Sequence, residues 1–210
     1  MATKKGNEVA TIDVAMVTCK PKGKTDEIAL TTATEVGLSV QSETTDAVKL
    51  IVKGVLIAQK REQVTITGNT ITLTDNVFNA ELVKILQGGI IKYWTTAEQT
   101  AEGDSDTGFG VSSYTPPVAG SKEEVDEFEC NIYTAIYDAA GLITGYEKCT
   151  YPHCKGVPVS FSAKDDEFRA PQYTINSAPA NGEPPYKITY VKQLPTVGGV
   201  NNGSNKSRSS

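Results

Sequence analysis

The chain has 210 residues and a formal charge of −5, with 39% hydrophobic and 21% charged residues. This length suits one domain of moderate size with a sizeable core. The composition excludes a strongly basic protein that binds nucleic acid through phosphate contacts, and no apolar run approaches the roughly 20 residues that span a bilayer.

The first predicted segment is a flexible N-terminal arm over residues 1–10, "MATKKGNEVA", which is mostly polar. Its lysines precede no apolar h-region, so no secretory signal is indicated. Without such a signal, free thiols in a reducing cytosol are expected. The four cysteines are Cys19, Cys130, Cys149 and Cys154.

Alternation of apolar and polar residues predicts strands through much of the N-terminal half. "EVGLSVQ" at 35–41 and "AVKLIVKGVLIAQ" at 47–59 are predicted strands, the second with a bulge or bend at Gly54. "VTITGNTITLT" at 64–74 alternates on both sides of Gly68–Asn69, which predicts a hairpin with a two-residue turn at that point.

One segment breaks the β pattern: "TDNVFNAELVKILQGG" at 74–89 predicts a short α-helix over about residues 79–87. Asp75 or Asn79 can cap its first turn, and Gly88–Gly89 can end it. Two turns are too short to be stable alone in water, so the helix is expected to dock on the mouth or open edge of a sheet. The predicted docking residues, at spacing i, i+3 and i+4, are Leu82, Ile85 and Leu86.

The longest stretch without periodicity covers residues 92–120, and a loop of that length is usually functional or mobile. It contains the only tryptophan of the chain and further aromatic residues. The three that could act as buried anchors are Trp94, Phe109 and Tyr114.

Alternation returns in the C-terminal half, beginning with "VDEFECNIYTAIYDAAG". One face of this predicted strand has Phe128, Cys130, Ile132 and Ile136, and the other has Glu127, Glu129, Asn131 and Tyr133. Further strands are predicted at 144–152, 156–166, 168–176 and 186–191. The end of the chain, 196–210, is rich in Gly, Asn and Ser and is predicted to be a flexible tail, which leaves a single domain over 1–195.

The sequence offers one cluster that could carry chemistry, Cys149, His153 and Cys154 in "KCTYPHCKG". Zinc sites usually show paired ligands, whereas adjacent His153 and Cys154 would point apart in a strand, and a fourth ligand would have to come from Cys130 or a carboxylate. The alternative interpretation is two apolar cysteines near a strand end beside an exposed histidine.

Catalysis by a Cys/His pair would have to use His153, the only histidine, and no nucleophile elbow or oxyanion loop is nearby. No phosphate-binding loop occurs, and "GFG" at 108–110 is too short for a dinucleotide fingerprint. The expectation is therefore a protein that is not an enzyme and has no metal and no cofactor.

Two long stretches resemble the tail tube protein, or major tail protein, of long-tailed bacteriophages. The first is "KGVLIAQKREQVTITGNTITLTDNVFNAELVKILQGG" at 53–89. The second is "GLITGYEKCTYPHCKGVPVSFSAKDDEFRAPQYTINSAPANGEPPYKITYVKQLP" at 141–195. The resemblance covers roughly residues 28–92 and 122–195, and its motifs are structural and not catalytic.

This resemblance implies a β-sandwich or half-barrel subunit with one flanking helix. Six subunits would form a ring, stacked rings would form a hollow tube, and the inner sheets of all subunits would merge into one continuous β-barrel. Such a tube conducts DNA from capsid to host. The implied partners are further copies of the chain, a tape-measure protein and tail completion or baseplate proteins. The implied location is the virion tail, assembled in the host cytoplasm, with no membrane.

The resemblance also suggests roles for particular residues. A basic lumen wall would bind phosphate and stall DNA, so the polar strand face makes Glu127, Glu129 and Asn131 lumen-facing candidates. An ordinary solvated strand face is the alternative. Trp94, Phe109 and Tyr114 are candidates for ring-to-ring contacts, since aromatic side chains dominate interface energetics, or they pack under their own loop.

Two other functions remain open from the sequence. One is the inner tube protein of a contractile tail or tail-like bacteriocin. The other belongs to a different class, a carbohydrate-binding or adhesin-like β-sandwich, which predicts exposed rows of aromatic side chains on one sheet face.

Overall fold

The structure is a computed structural model that describes residues 10–25, 27–95, 110–120, 125–159 and 170–196. This part of the chain is mainly β, with twelve strands and one short helix. The strands are β1 Thr11–Pro21, β2 Ile28–Leu30, β3 Ala33–Thr45, β4 Val48–Val52, β5 Val55–Lys60, β6 Gln63–Asp75, β7 Ile90–Tyr93, β8 Val111–Thr115, β9 Phe128–Tyr137, β10 Ile143–Gly156, β11 Gln172–Ser177 and β12 Lys187–Val191. The helix, α1, is Ala80–Gln87.

Eight strands form one open sheet in the order β2-β1-β9-β10-β11-β6-β3, with β12 paired to β10 beside this path. All these pairings are antiparallel. β10 pairs with β12 through residues 146–150 and with β11 through residues 154–156. The hairpins β4–β5 and β7–β8 are separate two-stranded sheets.

The main sheet curls, since β1 near one end of the strand order contacts β3 at the other end. The apolar core lies inside this curl, and the helix closes it. Fully buried core residues include Val17, Cys19, Ile71, Leu73, Cys130, Cys154, Tyr173 and Ile175. The predicted fold class, a mainly β half-barrel or sandwich with one flanking helix, is therefore confirmed for the single chain.

The helix begins and ends as the sequence predicts. The Asn79 side chain accepts a hydrogen bond from the Leu82 backbone N–H at 3.0 Å, so Asn79 is the N-cap. The Gly88 N–H donates to the Lys84 carbonyl at 2.8 Å and closes the C-terminal turn.

The three predicted docking residues all contact the core, and the helix buries one further residue, Val83. Leu82 and Leu86 are fully buried, but Val83 joins them and Ile85 is only half-buried. The helix lies in the mouth of a curved sheet, so the buried arc turns toward i, i+1 and i+4, and Ile85 moves to its border.

The predicted hairpin at 64–74 is wrong. Gly68 and Asn69 lie inside one continuous strand, β6, which pairs with β3 on one side and with β11 on the other. The register shifts at this point, because Gln41 pairs with Gly68 whereas Ser42 pairs with Ile66. A side chain at Gly68 would collide with the Ser177 carbonyl at the end of β11. The glycine therefore permits a close approach at a bulge, and not a turn.

The turn lies instead at Gly54, within the segment predicted as one strand over 47–59. β4 and β5 form a tight hairpin joined by Lys53 and Gly54, with φ of +49° and +80°. Two consecutive positive φ values are typical of the type I′ turn, whose twist matches that of the flanking strands.

The predicted loop 92–120 is wrong at both ends, because β7 and β8 pair with each other across it. Residues 96–109 lie outside the described residues, as does most of the predicted N-terminal arm 1–10 and of the tail 196–210. The domain limits therefore stay a prediction. In the C-terminal half the strand predicted at 144–152 is confirmed as part of β10. Those predicted at 168–176 and 186–191 are confirmed from Gln172, in β11, and from Lys187, in β12, and residues 168–169 are not described. The strand predicted at 156–166 is absent over 157–159, and residues 160–166 are not described.

Candidate functional site

The main candidate site is an apolar extension, residues 38–67, which comprises β4, β5 and the adjoining parts of β3 and β6. Every residue of β4 and β5 is exposed. Eleven of the 22 exposed large hydrophobic residues among the described residues lie here, so apolar exposure is concentrated in this one feature. They are Leu38, Val40, Val48, Leu50, Ile51, Val52, Val55, Leu56, Ile57, Val64 and Ile66.

The register shows that Leu38, where the apolar extension begins, lies on the core-facing side of the sheet. Directly paired residues of antiparallel strands point to the same side. Leu38 pairs with Ile71, which pairs with Ile175, and both partners are fully buried. Leu38 itself is 54% exposed. The apolar side of β3 therefore runs past the region that the helix and the other strands cover.

The apolar area of this surface is large and is divided between two faces. Burial of a Val, Leu or Ile side chain is worth about 1.5–3 kcal/mol at about 25 cal/mol per Å², hence about 60–120 Å² each. With about half of each side chain exposed, the eleven present on the order of 500 Å² of apolar area. Successive residues of a strand point to opposite faces, so Leu50 and Val52 lie on one face of the hairpin and Ile51 on the other.

The outer part of the apolar extension is also basic relative to the rest of the chain. Residues 46–62 contain four cations, Lys49, Lys53, Lys60 and Arg61, and two anions, Asp46 and Glu62. Their formal charge is +2, and since the whole chain has −5, the remainder has −7. The outer part of the apolar extension therefore has a formal charge opposite in sign to that of the remaining chain.

The helix docks on the sheet by close contact with β10. A Cβ at Gly156 would overlap the Cα and carbonyl oxygen of Leu86, so no side chain fits between helix and strand. The Gln87 side-chain carbonyl accepts from the Val159 N–H at 2.8 Å, which ties the helix end to the segment after β10. Beside the helix is a groove of about 450 Å³ lined in part by Ile28, Ile85 and Ile91.

The three aromatic residues proposed for ring-to-ring contacts have different positions. The Tyr114 hydroxyl donates to the Gly88 carbonyl at 2.8 Å and accepts from the Gln87 amide at 2.9 Å, so it holds the helix end within the subunit. Trp94 is half-buried, and its backbone N–H donates to the Gly110 carbonyl. Phe109 lies outside the described residues. Their role between rings stays a prediction.

The three residues predicted to face the lumen also differ in their exposure. Glu129 is exposed, but Asn131 is 2% exposed. The Asn131 amide donates to Glu129 at 3.0 Å, and its carbonyl accepts from the Thr150 hydroxyl at 2.8 Å. Side chains of the neighbouring strands β1 and β10 thus cover Asn131, and the expectation that it faces a lumen is corrected. The burial of Asn131 could not be predicted from the sequence, because alternation does not show that β9 is central in the sheet.

Glu127 belongs to a group of charges and not to an open face. Its carboxylate accepts from Lys22 Nζ at 2.9 Å and lies 3.3 Å from His153 Nδ1, and His153 Nε2 lies 3.1 Å from Glu183. The hydrogen bond from Lys22, followed by that from His153, lowers the pKa of Glu127. These contacts join four separate segments of the chain.

The weak metal candidates Cys149, His153 and Cys154 are not brought together. His153 lies in a bulge of β10 with φ of +52°, which directs its ring to the two carboxylates. Cys154 is buried, and its thiol donates to the Tyr151 carbonyl. Within the described ranges no group of three or more His, Cys, Asp or Glu residues could hold a metal ion.

The thiols are also poorly suited to act as nucleophiles. Burial raises the pKa of Cys154 to about 12, and burial likewise raises that of Cys149. The Cys130 pKa is raised by its hydrogen bond with Cys19, its cross-strand partner, and by burial. Since the thiolate is the reactive form, these groups stay protonated and inert at neutral pH.

The chain is similar to known proteins in its structure but matches none in the sequence comparisons. No protein-family model matches the sequence, and no curated protein matches it. The structure is similar to a chain of the six-fold symmetrised anti-feeding prophage baseplate, with a TM-score of 0.39 and 7% identity over 90% of this chain and 97% of that chain. It is also similar to a chain of the anti-feeding prophage tube-terminating cap, with a TM-score of 0.39 and 10% identity over 91% of this chain and 97% of that chain. At this TM-score the likeness assigns no function.

Within the described part of the chain, no helix is both long enough and apolar enough to cross a membrane.

Proposed function

We propose that this protein is a structural subunit of a phage tail or tail-like particle, without enzymatic activity, that assembles with copies of itself. In the specific form of the proposal, six copies form a ring, and stacked rings form the tube through which DNA leaves the capsid. Tape-measure and tail completion or baseplate proteins would be its other partners in the virion tail.

The observation that carries the proposal is the apolar extension. An isolated two-stranded hairpin is marginal in water, and exposed apolar patches of several hundred Å² on natural monomers are often interaction sites. β4 and β5 present Val, Leu and Ile on a hairpin that is not covered by the rest of the described chain, here called the body. Such a surface is expected to be buried in an assembly.

Two further observations support the specific form. The stretch at 53–89 that resembles tail tube proteins includes β5, β6 and α1, so the resemblance covers both half of the apolar hairpin and the helix. The chain outside 46–62 has a formal charge of −7, which suits a wall that DNA passes without binding.

The carbohydrate-binding alternative has less support. It predicts rows of exposed aromatic rings on one sheet face, where sugars stack. The eleven exposed hydrophobic residues of the apolar extension are all Val, Leu or Ile, which bury well in protein interfaces but offer no ring faces. Near β12 the rings of Tyr186 and Tyr190 are exposed, but Ile188 lies between them, so they form no continuous row of rings.

The experiment compares the purified wild type with a variant that has Leu50→Asp and Leu56→Asp, by sedimentation velocity and negative-stain microscopy. Both side chains are more than half exposed, so the substitutions are expected to leave the fold unchanged. The wild type should form rings or tubes, and the variant should stay monomeric. The matched control is Val118→Asp, which changes a residue that is 78% exposed elsewhere and should assemble normally. A wild type that stays monomeric at high concentration, or a variant that assembles normally, contradicts the proposal.

A further inference from the structure

Strand β12 carries a second uncovered apolar surface, here named the β12 stripe and defined as Tyr186, Ile188 and Tyr190. Ile188 and Tyr190 alternate within β12, whereas Tyr186 lies directly before it with its ring 5.9 Å from that of Tyr151. In chain order the three are 39%, 47% and 61% exposed. Ile188 pairs with Cys149, which pairs with the core residue Ile132. The β12 stripe therefore lies on the core-facing side of the sheet, beyond the covered core.

The backbone of β12 is also available on one side. Among the described strands, β12 pairs with β10 alone, so its other edge presents unpaired N–H and C=O groups. A short open edge beside an apolar stripe can accept an added strand, which gains main-chain hydrogen bonds and side-chain burial together.

The apolar extension of one copy could dock on the extension of a second copy or on its β12 stripe, and charge favours the stripe. On the side of the β12 stripe the paired residue of Tyr190 is Glu147, whereas Lys187 alternates to the opposite side. The outer part of the apolar extension is formally +2. Two apolar extensions have charge of the same sign and would repel each other, whereas the β12 stripe has beside it the carboxylate of Glu147, whose charge is opposite to that of the extension.

We propose that the apolar extension of one copy docks on the β12 stripe and free β12 edge of a second copy. Both surfaces are exposed within one chain, so neither covers the other in the same copy. The contact uses different surfaces on the two partners, and each added copy presents a new extension and a new stripe. A heterologous contact of this kind propagates into a closed ring or a helical stack. This inference rests on the proposed self-assembly and identifies the receiving surface.

The test uses complementary variants in sedimentation velocity. The extension variant is Leu50→Asp with Leu56→Asp, the stripe variant is Ile188→Asp with Tyr190→Asp, and Val118→Asp is the control. Each of the first two should be monomeric alone, with at least a tenfold higher concentration needed for association. Mixed in equal amounts, they should form a heterodimer and nothing larger, because only one intact extension and one intact stripe remain. Tyr190→Phe should assemble like the wild type.

The outcomes separate the two proposals. If the stripe variant assembles like the wild type while the extension variant does not, the receiving surface is wrong and the self-assembly proposal stands. If the two monomeric variants form no heterodimer, the docking of extension on stripe is overturned. If the extension variant assembles normally, or if the wild type is monomeric at every concentration, both proposals fail. Thermal unfolding of the stripe variant checks its fold, and the single substitution Tyr190→Asp, at the most exposed position of the stripe, replaces it if the double variant is unfolded.

Discussion

At the scale of single residues, one glycine determines how the helix meets the sheet. Gly156 ends β10 directly beneath Leu86, whose backbone occupies the space of any side chain at that position. Protein cores are packed at the density of organic crystals, so even one methyl group in such a contact requires the helix to move.

Gly156→Ala is therefore expected to lower the free energy of unfolding by about 1–3 kcal/mol through overpacking. The matched control is Gly37→Ala, because a Cβ there would meet its nearest neighbour at an ordinary 3.7 Å. Urea unfolding followed by circular dichroism measures both. Equal stability of the two variants would mean that the helix does not rest on β10 as described.

A second residue gives a pH dependence. The Glu127 carboxylate has a lowered pKa in the folded state, because Lys22 and His153 bond to it. A carboxyl group with a lowered folded-state pKa stabilises the fold above its unfolded pKa, near 4.3, and the contribution is lost as pH falls through the folded value.

Glu127→Gln should therefore destabilise the protein at pH 7, and its effect should shrink as pH falls below the unfolded pKa of about 4.3 and disappear below the lower folded-state pKa, where the wild-type carboxylate is also neutral. Urea unfolding at a series of pH values between 3 and 7 measures the difference in free energy of unfolding between wild type and variant. Glu35→Gln, at an exposed position of β3, is the control. A difference that stays constant across this range would be inconsistent with the ion pair.

At the scale of elements, the helix is held by three contacts of different kinds. Asn79 caps its start, Leu82, Val83 and Leu86 fill the mouth of the curled sheet, and the Tyr114 hydroxyl binds the Gly88 carbonyl at its end. Because an eight-residue helix is not stable by itself in water, its stability depends on this docking. It therefore acts as a plug of the half-barrel.

Leu86→Asp is expected to cost more than about 3 kcal/mol of folding stability, because it places a charge where no water reaches. The proposed ring formation should then be lost through a loosened fold and not through a lost contact with DNA. The control is Lys84→Asp, on the exposed face of the same helix. Normal tubes from the Leu86→Asp variant would show that the helix does not hold the fold together.

At the scale of the whole molecule, the body and the apolar extension differ in how far their apolar residues are buried. The body buries its apolar residues inside the curl, whereas the hydrophobic side chains of β4 and β5 remain in solvent. Folding of the body should therefore not depend on the outer hairpin.

Replacement of residues 46–62 by Asn-Gly tests this separation. Thr45 and Gln63 are directly paired, so a two-residue turn can join β3 to β6. The shortened protein is expected to keep the free energy of unfolding of the body within about 1 kcal/mol, since surface changes are usually small. Thermal unfolding measures its stability, and sedimentation velocity should show a monomer. An unfolded product would mean that the outer hairpin belongs to the core.

Local patterns in the sequence determined a good part of this protein. The helix with its Asn79 cap, the mainly β fold and the core side of β9 with Phe128, Cys130 and Ile132 all follow from short-range periodicity and from capping chemistry. These features depend on residues a few positions apart, which the sequence places side by side.

Other features depend on strand partners that are distant in sequence, and only the tertiary structure decided them. Gly68 allows a close approach to Ser177 and does not turn the chain, and Asn131 is buried because two strands flank it. The apolar pattern of β4 and β5 is the same whether these strands lie in a core or in solvent. Their exposure became visible only once the curl of the sheet showed where the core ends, because burial is a property of the neighbours and not of the residue.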